Sequence, residues 1–429
     1  MHLPWSRPRL AARRAARVCV LPAALLAALL ALGGCGSGAH AAAREGPQTS
    51  CQATVVEDLA HVVKRVYLEG VHSERTVVAG RFVARSAELR RAVVQNDPAA
   101  AQAAAEALIA TGKLTNLRIA RSDGSVLADA GGEALAPLSG SIAGPSGAPV
   151  ASYVTSVWSD AGFLAESQGI AEAQIAIRVK GRSVGGSFVL PPGKLPAKGA
   201  ITVAGTSYEY ASFGADAYPA GRARIYVLRT IPSTAAVCAA TRERTTYLTI
   251  SHIAQLIYKG EAGKRTLPQV QRVQRNSALL AAVAAGDAAA TRVAVAALLH
   301  EHIVRLRVYS ASGRLLDDDG GPYVLAPVTA PLQLHGRTIG HFVLSIQDDE
   351  GYLRLARRLA GLRVLMYMQL RPGETPQLVK NSLGPSPGTV PSSGRFQYRE
   401  STFQVFTVNA RPFPEGTLTI RVLIPVPYR

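Results

Sequence analysis

The stretch Leu117-Arg118-Ile119, Gly124 and Leu127-Ala128-Asp129-Ala130-Gly131-Gly132 is written a second time, 189 residues on, as Leu306-Arg307-Val308, Gly313 and Leu316-Asp317-Asp318-Asp319-Gly320-Gly321. The correspondence runs outward in both directions. Upstream, Leu89 through Asn96-Asp97 matches Leu279 through Gly286-Asp287 at an offset of 190. Downstream, Ser156 and Asp160-Ala161-Gly162-Phe163-Leu164 match Ser345 and Asp349-Glu350-Gly351-Tyr352-Leu353 at 189. At the far end Gly199, Tyr208, Gly221 and Leu228 match Gly394, Phe403, Gly416 and Leu423 at 195. So many matches in one order mark an internal duplication. The boundary falls between Ser233 and Ala240, giving copies at 51–236 and 237–429. The six extra residues of the second copy fall in the Pro/Gly/Ser-rich stretch 372–394, a surface loop by composition.

Both copies share one coarse plan. An opening helix carries its apolar residues on one face, Val55, Leu59, Val62 and Val66 in the first copy and Ile250, Ile253 and Ile257 in the second. A second helical segment covers Pro98–Thr111 and Ala288–Glu301. The period then switches to strands, Asn116–Arg121 and Ser125–Asp129 around Asp123-Gly124, with Arg305–Ser310 and Arg314–Asp318 around Ser312-Gly313. Such dipeptides between apolar alternations signal hairpins. A strand at Ser152–Val157 or His341–Ile346 leads into a short helix, and two or three further strands follow. The expected fold class is α+β, with N-terminal helices packed on a central antiparallel sheet in each copy. Each copy is long enough for its own core.

The N-terminal end reads as an export and anchoring device. Arg7, Arg9, Arg13, Arg14 and Arg17 precede the apolar run Val18–Leu32, the layout of a signal peptide over 1–34. The run contains Pro22 and falls short of the ~20 residues that span a bilayer. Leu32-Gly33-Gly34-Cys35 resembles the bacterial lipobox, which makes Cys35 the lipidated residue and 35–50, rich in Gly, Ala and Ser, a flexible tether. The expected location is the outer face of the cell membrane, held by lipid. Net charge is +18, and loss of the five leader arginines leaves +13. That basicity is either a solvated arginine-rich surface or an attraction for anionic lipids and acidic wall polymers. Without a block of basic residues, and outside the cell, a nucleic-acid partner is not expected. With Cys19 in the leader and Cys35 on lipid, Cys51 and Cys238 remain as a disulfide candidate in an oxidising compartment, or as two separate thiols.

The order of elements, Arg118-Ile119-Ala120-Arg121-Ser122-Asp123-Gly124, Ser345-Ile346-Gln347-Asp348-Asp349-Glu350-Gly351-Tyr352, and the endings Tyr218-Pro219-Ala220-Gly221 and Phe413-Pro414-Glu415-Gly416 resemble the Cache family of extracytoplasmic PAS-like sensor domains. The likeness spans about 51–429, and an opening helix in each copy suits tandem single modules better than one double unit. It implies a pocket over the sheet for a small carboxylate or amino-acid-like ligand, and a conformational signal. The sequence ends at Arg429 just past the last strand, so the expected signal passes to a membrane or envelope protein partner. The alternative is a non-sensing envelope scaffold built on the same folds.

Candidate ligand residues follow from that reading. Arg118 and Arg307 lie in strands, where a guanidinium either forks a ligand carboxylate or faces outward. Asp160 and Asp349 either hold a ligand ammonium group or cap the helix that follows. Tyr153, Trp158, Tyr208 and Tyr210 offer aromatic surface with polar tips, or are plain core; their counterparts Phe342, Gln347, Phe403 and Val405 are less polar at three of the four positions, so the first copy is the expected binder. Gly124/Gly313 and Gly162/Gly351 read as turn glycines.

No metal or cofactor is expected. His300 and His302 on a helix point about 200° apart, and the acidic runs 317–319 and 348–350 lack the spacing of a calcium loop. Gly263-Lys264-Arg265-Thr266 lacks the first glycine of a phosphate loop. Without a Gly-x-Ser-x-Gly elbow, a Ser-x-x-Lys pair or a His-Glu-x-x-His run, the chain is not expected to be an enzyme.

Overall fold

The computed structural model describes residues 47–218, 221–231, 237–261, 263, 266–299, 302–321, 324–413 and 416–428. The leader, Cys35 and most of the tether lie outside the described residues, as do Lys264, Arg265, His300 and Glu301. The last four tether residues, 47–50, already belong to the first helix.

In the first copy the order is α1 (Pro47–His72), α2 (Glu74–Arg85), α3 (Ala87–Val94), α4 (Pro98–Ala110), β1 (Asn116–Arg121), β2 (Val126–Gly131), β3 (Ala134–Leu135), β4 (Leu138–Ala143), β5 (Pro149–Ser156), β6 (Trp158–Ser159), α5 (Asp160–Ala171), β7 (Gln174–Val179), β8 (Arg182–Gly186), β9 (Lys198–Val203), β10 (Thr206–Tyr218) and β11 (Gly221–Thr230). The second repeats it with α6 (Arg242–Glu261), α7 (Leu267–Gln274), α8 (Ser277–Ala285), α9 (Ala288–Leu298), β12 (Arg305–Ser310), β13 (Leu315–Gly320), β14 (Val324–Leu325), β15 (Val328–Leu334), β16 (Arg337–Ser345), β17 (Gln347–Asp348), α10 (Asp349–Ala360), β18 (Arg363–Gln369), β19 (Gln377–Asn381), β20 (Gly394–Tyr398), β21 (Ser401–Ala410), β22 (Pro412–Phe413) and β23 (Thr417–Val426).

The α+β class is as read, but each copy holds its strands in more than one sheet rather than a single central one. An upper antiparallel sheet has the order β2-β1-β5-β4 in one copy and β13-β12-β16-β15 in the other. Even the bulge recurs, between Ile119 and Ala120 and between Val308 and Tyr309. A lower sheet runs β8-β7-β11-β10 with β9 on β10, and its counterpart runs β19-β18-β23-β21-β20. Gly131 and Gly320 survive duplication for a steric reason. At φ 89° and 123° each lies so close to the next strand that a Cβ would sit 2.4 Å from the Thr115 carbonyl oxygen or 2.2 Å from that of Val304.

Local chemistry sets the helices. Asp97 and Asp287 cap α4 and α9 through the N–H groups of Ala100 and Ala290, and Pro98 occupies the first turn of α4. Helix α9 stops at Leu298, three residues before the expected end. The helices of α2–α4 bury Val83, Leu89 and Ala101 against Leu117, Ile119 and Leu127 of the upper sheet, and the second copy does the same with Val273, Leu279 and Val295. Helix α1 is apolar around more than one face. Val55, Val56, Leu59, Val62, Val63 and Val66 are all buried, and they join Ile250, Ile253 and Ile257 of α6 and the inner faces of both lower sheets in one core. The lower halves of the two copies are therefore not independently cored. Residues 45–429 make one compact unit. A disulfide between Cys51 in α1 and Cys238 ahead of α6 ties the copies together, with Cα atoms 5.7 Å apart. No described helix is long and apolar enough to cross a membrane.

Candidate functional site

Both strand arginines are already spent on the chain itself. Arg118 and Asp129 face each other across β1 and β2, and the Arg118 Nε donates to Oδ2 at 3.0 Å. The Tyr218 hydroxyl donates to the same carboxylate, and its ring lies 5.4 Å from the guanidinium carbon. In the second copy Arg307 and Arg305 both grip Asp318, at 2.6 and 2.8 Å, over the ring of Phe413. Burial works against the Asp318 carboxylate, but the two guanidiniums outweigh it and hold its pKa below the usual range. The partner acids were legible in principle, because Asp129 and Asp318 recur at the same offset as the arginines.

The aromatic candidates fall in separate places. Tyr153 is buried beneath α2 and donates its hydroxyl to the Gly80 carbonyl at 3.0 Å. Tyr210 packs with Tyr226 on the outer face of the lower sheet, and Tyr208 meets Phe188 edge-on at 4.7 Å. Trp158 stands edge-on to Phe163 and fills the space over Gly70. These rings are packing, and they do not converge on one pocket.

Asp160 and Asp349 are different. Neither caps the helix it begins: the caps are the preceding residues, Ser159 and Asp348, which accept the N–H groups of Gly162 and Gly351. Gly162 and Gly351 accordingly lie in the first helical turn rather than in a loop, and at Gly351 a Cβ would stand 2.6 Å from the capping oxygen. The carboxylates thus freed point toward the lower sheets. Asp349 is buried, takes the Glu350 N–H on Oδ1 at 2.8 Å, and has Lys380 Nζ 3.4 Å from Oδ2. Lys380 also reaches Glu350 at 3.0 Å.

In the first copy that cation is missing. The register equates Lys380, opposite Met366, with Gly185, opposite Ile177. Asp160 is partly buried, and among the described residues no donor reaches its buried Oδ1 and no cation lies beside it as Lys380 lies beside Asp349 Oδ2. Burial, reinforced by the nearby charge of Glu133, pushes its pKa up to about 6. The surroundings are also trimmed. Around Asp349 a gap of only about 10 Å³ is left among Met366, Met368 and Leu418, whereas the equivalent residues are Ile177, Val179 and Ala223. Sequence spacing points to both aspartates but not to Gly185 or Lys380, because the six extra residues of the second copy fall just before Lys380, between β18 and β19, and shift the offset from 189 to 195.

No family model matches the chain, and no curated protein matches it. Among solved structures it is similar to an extracellular ligand binding receptor from Desulfohalobium retbaense DSM5692, with 10% identity and a TM-score of 0.25 over 53% of this chain and 47% of that one. The chain spans about half the length of that receptor.

The remaining acidic and histidine motifs are accounted for separately. His302 lies beyond the end of α9 at a φ of 81°, so it shares no helix face with its neighbours. Asp318 is held by arginines, and Asp319 accepts the Gly320 N–H at 2.7 Å. Among the described residues no group of three His, Cys, Asp or Glu side chains is placed to hold a metal ion.

Proposed function

We propose that this chain is a lipid-anchored extracytoplasmic protein of two Cache-like copies that binds a small ligand without chemical turnover, and that it acts through a membrane or envelope partner. The ligand group recognised in the first copy is an ammonium, taken by Asp160. The observation that carries this reading is the contrast between Asp160 and Asp349. One fold, built twice, places a carboxylate at the same helix start, sets Lys380 Nζ 3.4 Å from it in one copy, and leaves it facing Gly185 in the other. A partly buried carboxylate without a counter-charge is costly, and a cationic ligand group would remove that cost. The Cys51–Cys238 bond supports the extracytoplasmic part of the reading, since disulfides persist in oxidising compartments.

The test is a thermal-shift panel of amino acids, polyamines and simple amines against neutral isosteres on the full-length protein, repeated on Asp160→Asn. Binding to the native state raises Tm by mass action. The reading expects an amine that shifts the wild type and not the variant. An amine that stabilises both equally contradicts the assignment to Asp160.

A further inference from the structure

The outer face of the first copy's lower sheet carries a groove of about 690 Å³ between the 191–197 segment and the ends of β7 and β11. Arg178, Lys180, Lys194, Arg222 and Arg224 line it together with Tyr226, and no described acid does. Arg178 is held in place by the Gly193 carbonyl at 2.6 Å and lies 5.7 Å from the Tyr226 ring. Arg224 donates to the Ser212 hydroxyl at 3.2 Å. Lys180, Lys194 and Arg222 are exposed and form no ion pair with a described acid; Asp216, across the ladder from Arg222, makes none with it.

The second copy shows that the fold does not require this charge. By register, Arg178, Arg224 and Tyr226 correspond to Tyr367, Thr419 and Arg421, while Arg222 and Lys180 correspond to Thr417 and Gln369. The stacked pair is kept with its members exchanged, Arg421 lying 4.4 Å from the Tyr367 ring, so that pair is structural. The other cations of the groove have no counterpart at those positions. Lys180 is also poorly suited to its backbone. It has a φ of 50° beside Gly181 at 81°, a two-residue hairpin turn in which Asn-Gly is preferred.

We propose that this groove binds an extended polyanion, a chain of phosphate groups rather than a single anion. Exposed cations in water hold one anion weakly, so useful affinity needs several charges engaged at once, and a groove lined on both sides supplies them along a line. The site is separate from Asp160 in position and in the sign of its ligand.

The test uses the full-length protein and fluorescently labelled inorganic polyphosphate, read by anisotropy at low and physiological salt. Lys180→Asn/Arg222→Thr/Arg224→Thr converts three positions to residues the turn or the second copy tolerates. It is expected to weaken binding about tenfold or more at low salt, with Tm unchanged. The control Arg75→Gln/Arg81→Gln/Arg85→Gln removes the same charge from the exposed face of α2 and is expected to leave binding within about twofold. If the triple variant loses its fold, Lys180→Asn alone gives the comparison, with a loss of about threefold expected. Equal losses in the groove and control variants would reduce the effect to net charge and overturn the proposal. Binding of the wild type to anionic phosphatidylglycerol vesicles, with none to polyphosphate, would also overturn it and make the groove a membrane contact.

Discussion

Replacing Asp160 by asparagine should stabilise the protein at neutral pH and do nothing at acid pH. The carboxylate titrates near 6 in the folded state because burial and Glu133 disfavour its charge, against 3.8 unperturbed. A folded pKa above the unfolded one means that ionisation is more costly folded than unfolded. The penalty is absent below about pH 3.8, grows as pH rises, and is complete above about pH 6. Two pKa units correspond to about 3 kcal/mol, and solvent screening of a partly exposed side chain reduces that to about 1–1.5 kcal/mol. Asp58, pushed up to about 7 by burial despite Thr246 and Arg242, drives stability the same way, while Glu57 and Asp318, held low, drive it oppositely. These are common to both proteins and cancel in the difference. Urea denaturation of wild type and Asp160→Asn at about pH 3.5, 5 and 7.5 gives that difference directly, provided the slopes agree. A gain that is the same at all three pH values, or a loss at pH 7.5, would refute an uncompensated carboxylate at this position.

Lys380→Gly should recreate the first copy's arrangement in the second. It leaves Asp349 buried without its cation at a cost of about 2 kcal/mol, and millimolar methylammonium should restore part of the lost Tm; no rescue would argue against equivalence of the two sites. Breaking the Cys51–Cys238 bond, by reductant or by the double serine variant, opens a loop of 187 residues, worth about 5 kcal/mol on the chain-entropy account. An unchanged urea midpoint under reductant would show that the bond is not made. Gly131→Ala forces a Cβ toward the Thr115 carbonyl at positive φ and should cost about 3 kcal/mol or more, whereas Gly132→Ala, with open space around it, should cost less than about 1. Equal effects in a urea titration would remove the steric reading of that position.

The duplication was legible because turns and cores are kept whatever a copy does: Gly131 and Gly320 meet the next strand, Asp97 and Asp287 cap helices, and the buried hydroxyls of Ser156 and Ser345 donate to the Leu135 and Leu325 carbonyls. The α+β class followed from the same periodicities. The division into upper and lower sheets was not legible, since alternation in β5 or β7 says which residues face inward but not which strand lies beside them. The shared lower core was only half visible. Val55, Leu59, Val62 and Val66 announce one apolar face of α1, and the burial of Val56 and Val63 needs α6 and both sheets to explain it. At the candidate site, Asp160 and Asp349 stood out by recurrence, yet the next residue back does the capping. What separates the two aspartates is Gly185 against Lys380, a difference visible only once strand register pairs them.

The most direct test of the central claim is ligand binding by Gly185→Lys. A Cβ at Gly185 meets nothing closer than 3.7 Å, with Asp160 Oδ2 among its nearest neighbours, so the new lysine can reach the carboxylate as Lys380 reaches Asp349. The account predicts a variant more stable than the wild type that no longer responds to the amine that shifts the wild-type Tm. A variant that binds that amine as the wild type does, or a wild type that responds to none, would contradict it.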